Sequence, residues 1–302
     1  MITAIVGPTA SGKSTVAIAL AKKLKAEIIS FDSLQVYKYL NIGTAKPARQ
    51  ELRQVKHHLI SSCKPDAEFN AGIFTRQAGQ KIKQLEKQGK NIILVGGTGL
   101  YLKALLEGLS EAPPKDQQFR RRMAVQAKKY GKKYLHKKLS KNDPVAAVKI
   151  HPNNVERVIR ALEIFHQTGK PFSQWHQQTV TPRYQARIIG LSCDRQKLYE
   201  RIDQRVEEMF RQGLVREVRS LLKKGYSPKL KPLQSLGYRQ VCQYLAGKLT
   251  LPEAVYQTKL ETRHYAKRQL SWFRHTLGIK WFPVQENLDN KTLRNMVAYV
   301  KL

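Results

Sequence analysis

The sequence predicts an α/β protein in which helices flank a parallel sheet and a mostly helical segment is inserted. Three observations predict it. Short apolar runs alternate with helical periodicity over the first hundred residues, the pattern of parallel strands joined by crossover helices. Between the first such run and the first helix lies Gly7-Pro8-Thr9-Ala10-Ser11-Gly12-Lys13-Ser14, which fits the phosphate-binding loop of P-loop NTPase-like folds. After Ala112-Pro113-Pro114 the chain turns basic and helical, and strand character returns near Ala186.

The elements follow in order. Residues 2–6 read as a strand, 13–24 as a helix and 26–31 as a second strand. Residues 69–87 carry helical periodicity, and the apolar run 91–95 is a strand that enters Gly96-Gly97-Thr98-Gly99-Leu100-Tyr101. Helices are expected over 117–129, 132–139, 144–150 and 153–168. The last is amphipathic, carries Arg157, Arg160 and Glu163, and is stopped by Gly169-Lys170-Pro171. A strand over 186–191, long helices over 195–224 and 252–277, and a final strand over 280–283 complete the chain. Residues 1–112 and 184–302 are therefore expected to form a catalytic α/β domain, with 113–183 as a basic helical insertion.

The loop chemistry is specific. Gly7 and Gly12 let successive N–H groups turn inward toward an anion, and the next helix adds its positive dipole end. Lys13 brings an ammonium to phosphate oxygens, and the Ser14 hydroxyl is placed for Mg²⁺. Ligands on parallel sheets sit beyond the carboxyl ends of the strands, so this loop, Asp32-Ser33 and residues 96–101 should share one cleft. The strand 91–95 ends without the acid that ATP-hydrolysing relatives place there. Asp32 is the acid at a strand end instead, suited to act as a general base or, more blandly, as a turn or cap residue.

Net charge is +33 with 55 Lys and Arg against 22 Asp and Glu, which points to a polyanionic partner. Three separated cysteines, Cys63, Cys193 and Cys242, support neither a disulfide framework nor a zinc site. No run reaches transmembrane length and a strand starts at Ile2, so a cytoplasmic protein with no membrane association is expected, acting as a monomer.

Further segments carry a resemblance: Asp32-Ser33-Leu34-Gln35-Val36-Tyr37, Gly43-Thr44-Ala45-Lys46-Pro47, residues 96–101, Asn154 with residues 157–163, Leu236-Gly237-Tyr238-Arg239, and residues 262–274. In this order, over nearly the whole chain, the set resembles the tRNA dimethylallyltransferases, or isopentenyltransferases. The resemblance implies that the loop grips the diphosphate of dimethylallyl diphosphate rather than a nucleoside triphosphate. It implies alkyl transfer to N6 of the adenosine just 3′ of the anticodon, with tRNA bound through its anticodon stem-loop and Mg²⁺ as cofactor.

By the same resemblance Asp32, Thr98 and Arg205 are catalytic, and Gly7 with Thr9 through Ser14 hold the diphosphate. Asp32, Ser33, Leu34, Gln35, Thr98, Arg120, Glu156, Arg157, Val158, Ile159, Arg160, Gln234, Ser235, Leu236, Gly237, Tyr238, Arg239, Lys267, Arg268, Gln269, Trp272 and Arg274 belong to the tRNA side. Ser14 and His264 stand where many members have Thr and Gln. The chain ends soon after the Trp272 helix, as expected of a stand-alone bacterial type. Taken without the resemblance, Arg157 and Arg160 read as a solvated face, Trp272 as a core residue, and the lysine pairs near 128–138 as a diffuse field. A small-molecule kinase, a non-catalytic RNA-binding module and a prenyltransferase of free adenine nucleotides are the competing classes; the basic insertion and Asp32 weigh against them.

Overall fold

The computed structural model describes residues 1–108, 113–175, 183–276, 278–284 and 288–301. In chain order the elements are β1 Ile2–Val6, α1 Lys13–Leu24, β2 Ala26–Ser30, α2 Arg49–Gln54, β3 His57–His58, α3 Ala71–Lys87, β4 Asn91–Val95 and α4 Gly99–Leu106. Then come α5 Gln117–Tyr130, α6 Lys132–Asn142, α7 Pro144–Lys149, α8 Val155–Thr168 and α9 Phe172–Trp175. The chain continues through β5 Arg187–Ser192, α10 Arg195–Arg211, α11 Leu214–Lys223, a 3₁₀ turn Lys231–Gln234, α12 Tyr238–Leu245, α13 Leu251–Arg274, β6 Ile279–Pro283 and α14 Asn290–Lys301.

All strand pairs are parallel, in the order β3-β2-β4-β1-β5-β6. The register sets Ser30 opposite Val95, Ile5 opposite Val95, and Val6 opposite Gly190. The carboxyl ends of β2, β4, β1 and β5 are thus level, which is why the loops after them meet. Strands buried on both faces read as unbroken apolar runs, and β1 is buried throughout. One side of the sheet packs Phe74, Ile82, Leu105, Val218, Tyr238 and Phe273 from the helices; the other packs Val16, Leu20, Leu24, Met296 and Val300.

The chain divides into two compact units, Met1–Leu106 with Arg183–Leu302, and Glu107–Pro182. The division falls before the Pro113-Pro114 signal for a reason of hydrogen bonding. The carbonyl of Leu106 accepts the N–H groups of Arg183 at 2.8 Å and Tyr184 at 3.3 Å, so the outgoing and returning strands of chain are pinned together there. Ala112 lies outside the described residues. The expected helix over 195–224 is two helices, because Gly213 takes φ 101°, a left-handed turn that starts α11. The helix expected to end at Leu277 ends at Arg274, and Leu277 lies outside the described residues.

The helical unit is built on its own core of Phe119, Met123, Leu135, Leu139, Val158, Ile159 and Leu162. Its charged centre is Glu163, which is fully buried. Arg120 Nε and Nη2 donate to it at 2.8 and 2.9 Å, Arg160 Nη1 at 2.6 Å, and the Asp116 N–H at 2.7 Å. Burial pushes the Glu163 carboxyl up, but the hydrogen bonds from Arg120 and Arg160 outweigh it and leave it below its ordinary value. Arg160 also donates to the Pro113 carbonyl at 2.7 Å.

Candidate active site

The loop between β1 and α1 carries the cradle. Ala10 sits at φ 62° and Gly12 at φ 83°, left-handed positions that fold consecutive N–H groups to one side. Among the described residues no side chain caps the start of α1, which leaves its first N–H groups available to an anion. The Ser11 hydroxyl is buried and has no hydrogen-bond partner among the described residues, the kind of group that a phosphate oxygen satisfies. Lys13 Nζ donates to the Pro8 carbonyl at 2.5 Å. Burial and then the nearby Arg205 lower the Lys13 ammonium to about 7.

The opposite wall comes from the loop after β2. Asp32 Oδ1 accepts the N–H groups of Leu34 at 2.8 Å and Gln35 at 3.2 Å. The turn reading and the functional reading of Asp32 are therefore compatible: one oxygen fixes the turn, and Oδ2 makes no hydrogen bond among the described residues. The Thr98 hydroxyl accepts the Ser33 N–H at 3.1 Å, joining the ends of β2 and β4. Gln35 donates its amide to the carbonyls of Thr44 and Ala45, both at 3.3 Å.

A cavity of about 320 Å³ is lined by the cradle from Thr9 to Thr15, by Asp32, Lys46, Glu51 and Gly97, and by Arg205, Tyr265 and Gln269. Beside it, a smaller cavity of about 100 Å³ is lined by Ser33, Leu34, Val206, Met209, Leu236 and Gly237 among others. Thr9, Asp32, Thr44, Ala45, Arg205 and Tyr265 line both. A polyanion end and a more apolar end thus meet at one carboxylate, with Arg205 Nη1 donating to the Thr9 hydroxyl at 3.3 Å.

Residues with no role assigned from sequence also line this site or anchor it. Lys46 donates to the Tyr37 carbonyl, Asn41 Oδ1 and the Ser61 hydroxyl at 2.7, 3.1 and 2.8 Å, and burial lowers its ammonium to about 8. Glu217 accepts the N–H groups of Asn41 and Ile42 at 3.0 and 2.9 Å and the Tyr238 hydroxyl at 2.6 Å, so it anchors the loop that carries Lys46. Burial, above all, raises the Tyr265 phenol well above its ordinary value. The quoted Gly43–Pro47 segment was the available signal for Lys46; nothing local marks Glu217.

Other residues on the tRNA side are sorted by burial. Gln234, Lys267, Arg268 and Arg274 are exposed, and Ser235, Leu236 and Arg239 are half-buried, the last paired with Glu261. In the helical unit Glu156 and Arg157 are exposed. Val158, Ile159 and Tyr238 are core side chains and Gln269 is buried, so none of these four is open to side-chain contact with RNA. Arg120 and Arg160 are occupied by Glu163. Trp272, expected in the core, is 39% exposed, and its neighbour Phe273 at 1% is the core residue; one step along the helix turns a side chain by about 100°, which leaves Trp272 at the edge of the buried face.

The model of the IPP transferase family matches residues 35–276. The chain belongs to the IPP transferase family. Among its relatives, a tRNA dimethylallyltransferase of Thermoanaerobacter sp. is 45% identical over 305 residues, covering 99% of this chain and 97% of the relative. Another from Carboxydothermus hydrogenoformans is 46% identical over 292 residues, 95% of this chain and 94% of the relative. The crystal structure of the full-length tRNA isopentenylpyrophosphate transferase of Bacillus halodurans superposes with a TM-score of 0.75 at 39% identity, covering 99% and 95% of the two chains. A eukaryotic dimethylallyltransferase acting on tRNA gives a TM-score of 0.84 at 28% identity, covering 98% of this family member and 77% of the other chain. Among the described residues no helix is long and apolar enough to cross a membrane.

Proposed function

We propose that this family member transfers the dimethylallyl group of dimethylallyl diphosphate to N6 of the adenosine 3′-adjacent to the anticodon of tRNA, releasing diphosphate, in the cytoplasm and as a monomer. The observation that carries this reading is the pair of cavities with one shared wall. The cradle, Lys13 and Arg205 take the diphosphate in the larger cavity. The target adenine, already unpaired in an anticodon loop and so cheap to extrude, enters the smaller one beside Ser33, Leu34 and Leu236.

The reacting centre then falls at Asp32. The N6 lone pair forms a bond to C1 of the allyl group while the C1–O bond breaks, and its electron pair leaves on the diphosphate. Asp32 Oδ2 receives the N6 proton. Lys13, Arg205 and the N–H groups at the start of α1 stabilise the charge that grows on the leaving group. Thr98 keeps the Asp32 turn in place through the Ser33 N–H.

Mg²⁺ fits the oxygen-rich lining of the larger cavity. The Ser14 hydroxyl would hold it, and with no cluster of three His, Cys, Asp or Glu ligands among the described residues, diphosphate oxygens and water would complete its shell. Bound there, the ion neutralises charge on the departing diphosphate. The exposed Glu156, Arg157, Gln234, Lys267, Arg268 and Arg274 are the residues assigned to tRNA.

The test is direct: purified protein, unmodified tRNA and dimethylallyl diphosphate are incubated with Mg²⁺, and nucleosides from the digested tRNA are read by mass spectrometry. N6-dimethylallyladenosine is the expected product, mapped to the position after the anticodon. Its absence, or ATP hydrolysis in its place, overturns the proposal.

A further inference from the structure

Gln269 lies on α13 between two different environments. Lys267 and Arg268 just before it are exposed, whereas Gln269 is 6% exposed. Its Oε1 accepts the Thr9 N–H at 2.7 Å, and its Nε2 donates to the Gly97 carbonyl at 2.9 Å. One amide therefore joins the phosphate loop after β1 to the loop after β4, across 260 and 172 residues of chain. A Cβ built on Gly97 would stand 2.2 Å from Gln269 Nε2, so glycine leaves the room that this amide occupies.

Neighbouring contacts run the same way. Tyr265, one turn earlier on α13, is a partner of the Gln269 side chain and lines both cavities. The Arg268 guanidinium lies over the Tyr265 ring, 5.8 Å from its centroid. Trp272, on the same side three residues later, packs so closely on Gly99 that a Cβ there would meet its Nε1 at 2.1 Å. Thr98, between these two glycines, holds the Ser33 N–H and with it the Asp32 turn. The buried side of this helix grips the catalytic loops while its exposed side displays cations.

We infer that Gln269 is a positioning residue that couples the two substrate sites: tRNA held on the Lys267, Arg268 and Arg274 face of α13 sets the phosphate loop through the Gln269 amide, so each substrate binds more tightly when the other is present. The inference rests on the function proposed above. Coupling between sites is reciprocal, and a factor of about 10 lies inside the usual range of roughly 5–150. Gln269 lines the larger cavity, but its amide is spent on the Thr9 N–H and the Gly97 carbonyl, and it is through these that it acts.

The experiment is a binding cycle. A synthetic anticodon stem-loop RNA and a non-reacting thio-diphosphate analogue of the prenyl donor are each titrated calorimetrically, with and without a saturating amount of the other. The wild type is expected to show a coupling factor of about 10. Gln269→Met keeps an unbranched side chain of similar volume but makes neither hydrogen bond, and its factor is expected to fall below about 2. Gln269→Glu keeps an acceptor for the Thr9 N–H and loses the donor to Gly97, so an intermediate factor is expected, and this variant decides the matter if Gln269→Met does not fold. A variant that weakens both substrates separately while keeping the wild-type factor would mark Gln269 as merely structural and overturn the inference. So would a wild-type factor of one. Failure of the wild type to bind either probe would instead overturn the proposed function.

Discussion

In the helical unit Arg120 and Arg160 converge on the buried Glu163, whereas in the α/β unit Arg205, Lys13 and Lys46 donate to neutral oxygens. The first arrangement is closed. Two guanidinium groups and one carboxylate satisfy each other, and the product is a fixed junction between α5 and α8. The second is open: the Thr9 hydroxyl, the Pro8 carbonyl and the Tyr37 carbonyl satisfy donors without cancelling charge. Burial lowers the pKa of Lys13 and Lys46, outweighing the nearby carboxylates that raise them, and Arg205 lowers Lys13 further. A basic residue therefore reports a ligand site when its partners are neutral, and a structural joint when its partner is a carboxylate.

The largest effect expected is at the open site. Asp32→Ala should lower prenyl transfer by about 10²–10⁴-fold while tRNA affinity, measured by filter binding, changes little; turnover near wild type would remove Asp32 from the mechanism. The closed site should answer in stability instead. Glu163→Ala removes the carboxylate that two guanidinium groups share and should cost the helical unit about 3 kcal/mol, the low end for breaking a buried pair because both arginines keep some solvent contact. Urea denaturation measures it, and an unchanged midpoint would mean that the junction carries no stability.

A smaller effect follows from Lys13. Its ammonium is at about 7 in the unliganded protein against an ordinary 10.5, and a bound diphosphate favours the charged form. Binding above pH 7 should therefore take up a proton, and affinity should fall as pH rises from 7 toward 10. In the absence of ligand the unfolded chain binds more protons than the folded one across that window, so the Lys13 contribution to stability rises with pH. Calorimetry at pH 8 in buffers of different ionisation enthalpy measures the uptake; Lys13→Ala should weaken diphosphate binding and abolish the uptake. If Lys13→Ala takes up the same proton, another group carries it.

The smallest effect separates the arginines of α8. Exposed Arg157 replaced by Ala should weaken tRNA binding and flatten its logarithmic salt slope by about 0.7–0.9, one phosphate contact. Arg160→Ala should act mainly on stability, since its guanidinium is already spent on Glu163 and Pro113. Identical salt lines for Arg157→Ala and wild type would place the tRNA path elsewhere.

Much of this was legible in the residues. The runs 2–6, 91–95 and 186–191 announce parallel strands because the strands they form are buried on both faces, and the glycines and lysine of the cradle announce an anion. The two-residue β3 is too short to carry a pattern and the eight-residue α12 spans barely two turns, whereas α14 went unread although Asp289 caps its start by accepting the Thr292 N–H. Gly99–Leu106 looks like a glycine-rich turn but is a helix, in which the N–H groups of Tyr101 and Leu102 donate to the Thr98 carbonyl. The break at Gly213 was readable as a glycine inside a helical run. The Arg160–Glu163 pair was in reach, three residues apart on one helix, but the partners of Arg120 and Gln269 were not, because they lie 43 and 172 to 260 residues away in the chain.

The position of β1 in the sheet also has a consequence for biosynthesis. Ile5 pairs with Val95 on one side and Ile189 on the other, so the first strand made waits for β5 before both its edges are covered. Chain emerging from a ribosome cannot complete the cradle until β5 has followed, and the whole helical unit is made in between. That unit has its own core and is tied off at Leu106 and Arg183, so it can condense while β1 still waits with one edge open. Closing a loop of this length costs little more than closing a shorter one, but pairings so distant in sequence are slow to form. The cradle should therefore be a late product of folding, acquired after the basic unit has already taken shape.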